Sequence, residues 1–161
     1  MAMLAALAGA SAALAANPQE LLLQKSDVPA GAKKLPLKLG KNGTFDIGKG
    51  EHVRLAAALY STGTKYIGTA AGVFGSSSAA KRAFARFRTP TGTYTNVKVS
   101  GLGDQQRALG LFKSGVSSIV VLVRKGPVVW ETAYSVVGKT PRSTVTSSAL
   151  SYARKQKARV G

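Results

Sequence analysis

Cysteine is absent from the 161 residues. That excludes disulfides, a thiol nucleophile, a cysteine-borne lipid and every thiolate metal site. Acids are scarce: six Asp and Glu stand against 23 Lys and Arg. Glycosidase-type chemistry needs two carboxyl groups facing each other, and so short a supply leaves few pairings. Histidine occurs once, at His52. An imidazole-rich metal centre is therefore excluded, and one assembled from His52, Asp46 and Glu51 would be poor. A Ser-His-Asp triad would have to combine His52 with Asp46 or Asp104, and no G-x-S-x-G elbow accompanies them. No metal and no cofactor is expected. Long apolar runs are missing too: none reaches the roughly 20 residues that anchor a helix in a bilayer.

What is present points to one packed domain. Apolar residues make up 45% of the chain, enough for a core. The 18 glycines and many Ser and Thr suit strands and turns better than a helical bundle. The net charge of +17 attracts polyanions: nucleic acid, anionic lipid or acidic wall polymer. The cations are spread along the chain rather than gathered in one block.

The opening MAMLAALAGASAALAA is uncharged and small-residue rich. It fits the apolar region of a secretory signal, with Ala13-Leu14-Ala15 as an A-x-A site and cleavage after Ala15. No Lys or Arg precedes the run, which leaves a buried or amphipathic N-terminal helix as the alternative. Residues 1–15 are thus expected to be a signal peptide and 16–161 a single domain.

Asn17-Pro18-Gln19-Glu20 reads as a helix start, with Asn as cap and Glu positioned to reach back. That helix should run through Leu21, Leu22 and Leu23 and end near Asp27. Residues 33–49 read as loop, with one short edge strand near Leu35–Leu39. His52–Tyr60 alternates weakly and precedes a Ser-Thr-Gly-Thr turn. The following KYIGTAAGVFG is broken by glycines, so the pair reads as a hairpin. Ser76–Ser78 caps a helix whose Ala80, Ala83, Phe84 and Phe87 make a buried stripe. Residues 91–100 are a crossing loop with a short strand at Val97–Val99. Arg107–Lys113, Ser117–Arg124 and Pro127–Val137 are three further strands, and Thr140-Pro141 opens a helix to Arg159. Ile119 to Val123 is apolar without alternation, so both of its faces should be covered. The predicted order is α-β-β-α-β-β-β-α: an α+β domain with a mostly antiparallel five-stranded sheet and helices on both faces, an α/β/α sandwich.

Gly101-Leu102-Gly103-Asp104 invites comparison with a dinucleotide loop. The third glycine of G-x-G-x-x-G is missing, a strand rather than a helix follows, and Asp104 would repel a pyrophosphate. GLGD therefore reads as a turn at the mouth of the sheet, with Asp104 binding local backbone N–H groups.

Taken together, LLLQKSDVPAG, YIGTAAGVFGSSSAAKRAFARF, GLGDQQ and VVLVRKGPVVW resemble, in content and order, small extracytoplasmic α/β domains of bacterial cell-envelope proteins. Actinobacterial lipoproteins and kinase sensor domains are among them, and the layout is similar to the PsbP-like fold. The resemblance spans most of residues 18–158 and implies a non-catalytic binding or assembly module. The chain departs from those lipoproteins in lacking a cysteine, and from the sensors in lacking a kinase and a membrane span. Both departures imply a free secreted protein. No functional residue is carried over.

Two groups of residues are candidates for a site. Lys81, Arg82, Arg86 and Arg88 on one helix, with Arg154, Lys155, Lys157 and Arg159 on the other, could dock an anionic envelope polymer, an anionic lipid surface or an acidic protein. Nucleic acid becomes the partner only if the chain stays in the cytoplasm, and no aromatic platform is interleaved with these cations. Trp130 and Tyr134 share a strand face and read either as core beneath a helix or as the wall of a small apolar pocket. Glu131, beside Trp130, should pair with Arg107 or Arg124. Without a partner it would carry a raised pKa. A small hydrolase built on His52 or Glu131 is the remaining alternative to a non-enzymatic binding module.

Overall fold

The computed structural model describes residues 16–37, 52–87, 94–113 and 115–161. Its strands are β1 (Lys33–Leu35), β2 (Val53–Thr62), β3 (Lys65–Phe74), β4 (Thr95–Val97), β5 (Gln105–Lys113), β6 (Val116–Lys125) and β7 (Val128–Val137). Its helices are α1 (Ser77–Arg86), between β3 and β4, and α2 (Arg142–Val160), after β7. One wholly antiparallel sheet runs β1-β2-β3-β7-β6-β5-β4.

Tight turns build this sheet. Thr62 pairs with Lys65, Lys113 with Val116 and Lys125 with Val128, so three connections are two-residue hairpin loops. Gly63, Gly115 and Gly126 supply the positive φ that such loops demand. After α1 the chain crosses to the far edge and returns through β4, β5 and β6. It then lays β7 between β6 and β3, so β7 is central.

Alternation divides the core in two. On the front, Trp130, Tyr134 and Val136 of β7, Ile119 and Val121 of β6 and Ile67 of β3 pack with Val145, Ala149 and Ala153 of α2. On the back, Ala70, Phe74, Leu122 and Val129 pack with Ala79, Ala80, Ala83 and Phe84 of α1. Ser76 caps α1 by accepting from the Ala79 N–H at 3.1 Å, as its sequence predicts.

The expected five-stranded α/β/α sandwich is overturned. Among the described residues the sheet has seven strands, two helices accompany it, and the chain is mostly β. The two strands beyond the expected five are β1 and β4; short strands were expected near Leu35–Leu39 and Val97–Val99, and the observed three-residue edges lie earlier in the chain. The expected N-terminal helix is replaced by turns. Successive helical residues point about 100° apart, so a helix lying on the sheet could not bury three leucines in a row. The turns do so: Leu21, Leu22 and Leu23 are 5%, 2% and 0% exposed. Tertiary partners take up the released backbone groups. Leu23 N–H donates to Thr69 Oγ1 at 3.2 Å, and the Tyr60 hydroxyl donates to the Leu23 carbonyl at 3.0 Å.

One polar cluster sits in the front core. Gln156 is wholly buried; its Oε1 accepts from Thr132 Oγ1 at 2.6 Å and its Nε2 donates to the Ala70 carbonyl at 3.1 Å. It fastens α2 across β7 to β3. The proposed signal segment, residues 1–15, lies outside the described residues.

Candidate anion-binding site

The cations chosen from the helices have different fates. At the C-terminal end of α2 most are spent inside the fold. Lys155 Nζ donates to the Asp27 carbonyl at 2.6 Å, and Arg159 Nε donates to Asp27 Oδ2 at 2.7 Å. Lys157 Nζ donates to the Gly101 carbonyl at 2.8 Å. These three clamp the N-terminal turns and the GLGD turn to α2. Burial tends to raise the Asp27 pKa. Hydrogen bonds from Arg159 and the Gln24 backbone, with the charges of Arg159 and Lys155, outweigh that and hold it below its ordinary value. Arg154 makes no such clamp; it lines a small cavity with Lys98, Ser100 and Leu150. On α1, Lys81 and Arg82 are exposed, Arg86 is partly so, and Arg88 lies outside the described residues. Since α1 packs on the back core and α2 on the front, the two clusters do not form one continuous groove.

GLGD is a structural turn. Gly101 has φ +72°. A Cβ on Gly103 would stand 2.6 Å from the Arg124 carbonyl oxygen, so the strand end leaves room only for glycine. Asp104 Oδ2 accepts from the Gly126 N–H at 2.9 Å and pairs with Arg124 at 3.2 Å. The backbone group it binds therefore belongs to the β6–β7 hairpin, not to its own turn. Gln106 Oε1 accepts from the Leu102 N–H at 2.8 Å.

Trp130, Tyr134 and Glu131 do not share a cavity. Trp130 is 0% and Tyr134 5% exposed in the front core, where Tyr134 stacks on Tyr152 of α2 at 5.7 Å. Trp130 Nε1 is buried with no hydrogen-bond partner among the described residues. Glu131 lies on the opposite face, between Ala70 and Leu122. The expected ion pair is not made. Arg124 is held by Asp104, by Gln105 at 2.7 Å and by the Gly126 carbonyl at 3.0 Å. Arg107 is next but one across the sheet, two strand spacings or roughly 10 Å away, and its guanidinium donates to the Phe87 carbonyl at 2.7 Å. Burial in these apolar surroundings pushes the Glu131 carboxyl up to about 7.

His52 is exposed just before β2 and lines a shallow depression with Arg54 and Phe74. Asp46 and Glu51 lie outside the described residues, and Asp104 is engaged with Arg124. Among the described residues no His, Asp and Glu side chains gather to hold a metal, and no helix is long and apolar enough to cross a membrane.

A third group of cations was not singled out from the sequence. The β5–β6 turn and the β7–α2 junction meet at one end of the sheet, where the Gly138 N–H donates to the Gly115 carbonyl at 2.8 Å. The cavity between them measures about 510 Å³ and is lined by Lys113, Lys139, Arg142, Phe112 and Ser117. Arg142 lies over the Phe112 ring at 4.4 Å. None of the three cations makes an ion pair among the described residues, and no acid lines the cavity. Lys113 is far from Lys139 in the chain, and only the strand register joins them. The readable signal was Lys139-Thr140-Pro141-Arg142, a basic opening to a long helix with no acid in its first turn.

Comparison with known proteins shows a shared fold. No protein-family profile matches the chain, and no curated protein does. The crystal structure of the extracellular domain of PknH from Mycobacterium tuberculosis aligns with a TM-score of 0.50 at 11% identity, covering 88% of this chain and 95% of that one. An uncharacterised Mycobacterium smegmatis protein, the Rv0999 ortholog, aligns with a TM-score of 0.43 at 13% identity, covering 88% and 83%. The likeness agrees with the actinobacterial extracytoplasmic part of the resemblance and does not bear on the PsbP-like layout. The chain has the fold of a mycobacterial extracellular domain.

Proposed function

We propose that the protein is an extracytoplasmic, non-enzymatic binding module that docks an anionic polymer of the cell envelope. One observation carries this reading: a net charge of +17 on a fold shared with an extracellular domain. The fold suggests the compartment by analogy, and the charge sets the sign of the partner. Asp27 and Asp104 are committed to structural ion pairs and do not offset the outward cations. Lys81, Arg154 and the sheet-end trio lie on different parts of the surface. Docking is then electrostatic and indifferent to sequence, with a strong dependence on salt.

The test is binding of the full chain to polyphosphate, as a model anionic polymer, at low and at high salt. Affinity should fall steeply as salt rises, and Lys81→Glu with Arg154→Glu should weaken it further. Equal affinity at both salt levels would overturn the reading. The compartment is tested separately by the intact mass of the native protein from fractionated cells. Exported material beginning at Ala16 supports it, and an uncleaved cytoplasmic species refutes it.

A further inference from the structure

The sheet-end cavity has more than charge. Ser117 lines it and is 8% exposed, and its hydroxyl makes no hydrogen bond among the described residues. Strand alternation places its side chain on the face shared with Phe112 and Val136, toward α2. The hydroxyl keeps solvent contact and is free to meet a ligand there. The start of α2 is also uncapped: Pro141 is the N-cap, it makes no side-chain cap bond, and no acid stands in the first turn. The first-turn N–H groups of a 19-residue helix are therefore left to an outside acceptor. Natural helices usually satisfy them with Ser, Thr, Asp or Asn; here Pro141 holds that place, with Lys139 and Arg142 near it.

We infer that this cavity binds the phosphate group of a small phosphate ester. The donors are of the kinds that recognise a tetrahedral oxyanion. Arg142 offers a planar fork that can engage two oxygens, Lys113 and Lys139 supply point charges, and the helix start supplies N–H donors. Ser117, which lines the site, can donate to a further oxygen. A phosphomonoester carries close to two negative charges, which suits three unpaired cations better than a single carboxylate would. The site is an open depression of about 510 Å³, more than one phosphate fills. The remainder accepts a polar body such as a sugar, beside the Phe112 ring that also lines the site.

This inference rests on the protein being a binder of anions, and it adds a defined ligand. Calorimetry on the full chain should use a hexose phosphate, the unphosphorylated hexose, inorganic phosphate and vesicles rich in phosphatidylglycerol. The hexose phosphate should bind saturably with one site, inorganic phosphate more weakly at the same site, and the hexose not at all. Arg142→Ala should weaken the ester about tenfold, by loss of a charge-assisted contact. Ser117→Ala should weaken it about fivefold. Ser117→Ala breaks no bond inside the protein, and an unchanged melting curve checks that the fold survives. No saturable binding of either phosphate probe would overturn the inference, as would binding that both variants leave unchanged. Vesicle binding without ester binding would overturn it as well, since the cavity would then be part of a lipid-facing patch. Polyphosphate binding that persists while the ester fails would sink this site but spare the broader reading. Loss of both would sink the two together.

Discussion

Replacing Glu131 by glutamine should stabilise the protein at neutral and alkaline pH. Its carboxyl stands between Ala70 and Leu122 without a cation, and its pKa rises from 4.5 to about 7. At about 1.4 kcal/mol per unit, that difference corresponds to roughly 3 kcal/mol. The folded state binds the proton more tightly than the unfolded chain does. Between 4.5 and about 7, unfolding therefore releases a proton, and stability falls as pH rises through that window. Below 4.5 both states are protonated and the cost disappears; above about 7 it is present in full. Glutamine keeps the shape and removes the charge. Urea unfolding over a pH series, with midpoints compared at constant m, reads the effect directly. Wild type should lose stability across the window and Glu131→Gln should not. The curves should converge at acid pH and separate by up to roughly 3 kcal/mol above neutrality. A constant offset between parallel curves would refute the reasoning, because it would mean that Glu131 is solvated or ion-paired in solution.

Other outcomes follow from the same geometry. Asp27 titrates with the opposite sign: its pKa lies below 3.8, so the clamp to Arg159 contributes fully above that value and is lost as pH falls through the folded pKa. Asp27→Asn should cost about 1–2 kcal/mol at neutral pH, and the same urea series should show the deficit closing in acid. Gln156→Leu fills similar space but strands Thr132 Oγ1 in the core; a loss of about 1–3 kcal/mol should appear in thermal melts. Gly103→Ala drives a Cβ to 2.6 Å from the Arg124 carbonyl oxygen, and a cost of about 1–3 kcal/mol should appear as a lowered urea midpoint.

The hairpins and helices were legible because their signals are local. Gly63 and Gly126 mark two-residue turns, and Ala80, Ala83 and Phe84 mark the face of α1. The N-terminal turns were not, because Asn17, Pro18 and Glu20 offer a helix start on their own terms. Only the need to bury three adjacent leucines decides against a helix, and that need comes from the sheet beneath them. The edge strands were legible in kind, near Leu35–Leu39 and Val97–Val99, but not in extent. Lys33–Leu35 and Thr95–Val97 become strands by pairing with β2 and β5, not by any pattern of their own.

Charge was the least legible feature. The run Arg154, Lys155, Lys157 and Arg159 looks like a docking face in sequence, yet three of its four members hold the chain together. Cations crowded into the last turns of a helix have a structural use, because they reach neighbouring carbonyls and complement the helix end. The cations around the sheet-end cavity are scattered in sequence, and only hairpin register collects them. In a chain with 23 cations and six acids, density along the sequence is therefore a poor guide to a binding surface. The better guide is which cations the fold leaves without an acceptor. By that criterion Lys113, Lys139 and Arg142, which make no ion pair among the described residues, are a better guide than the Arg154–Arg159 run.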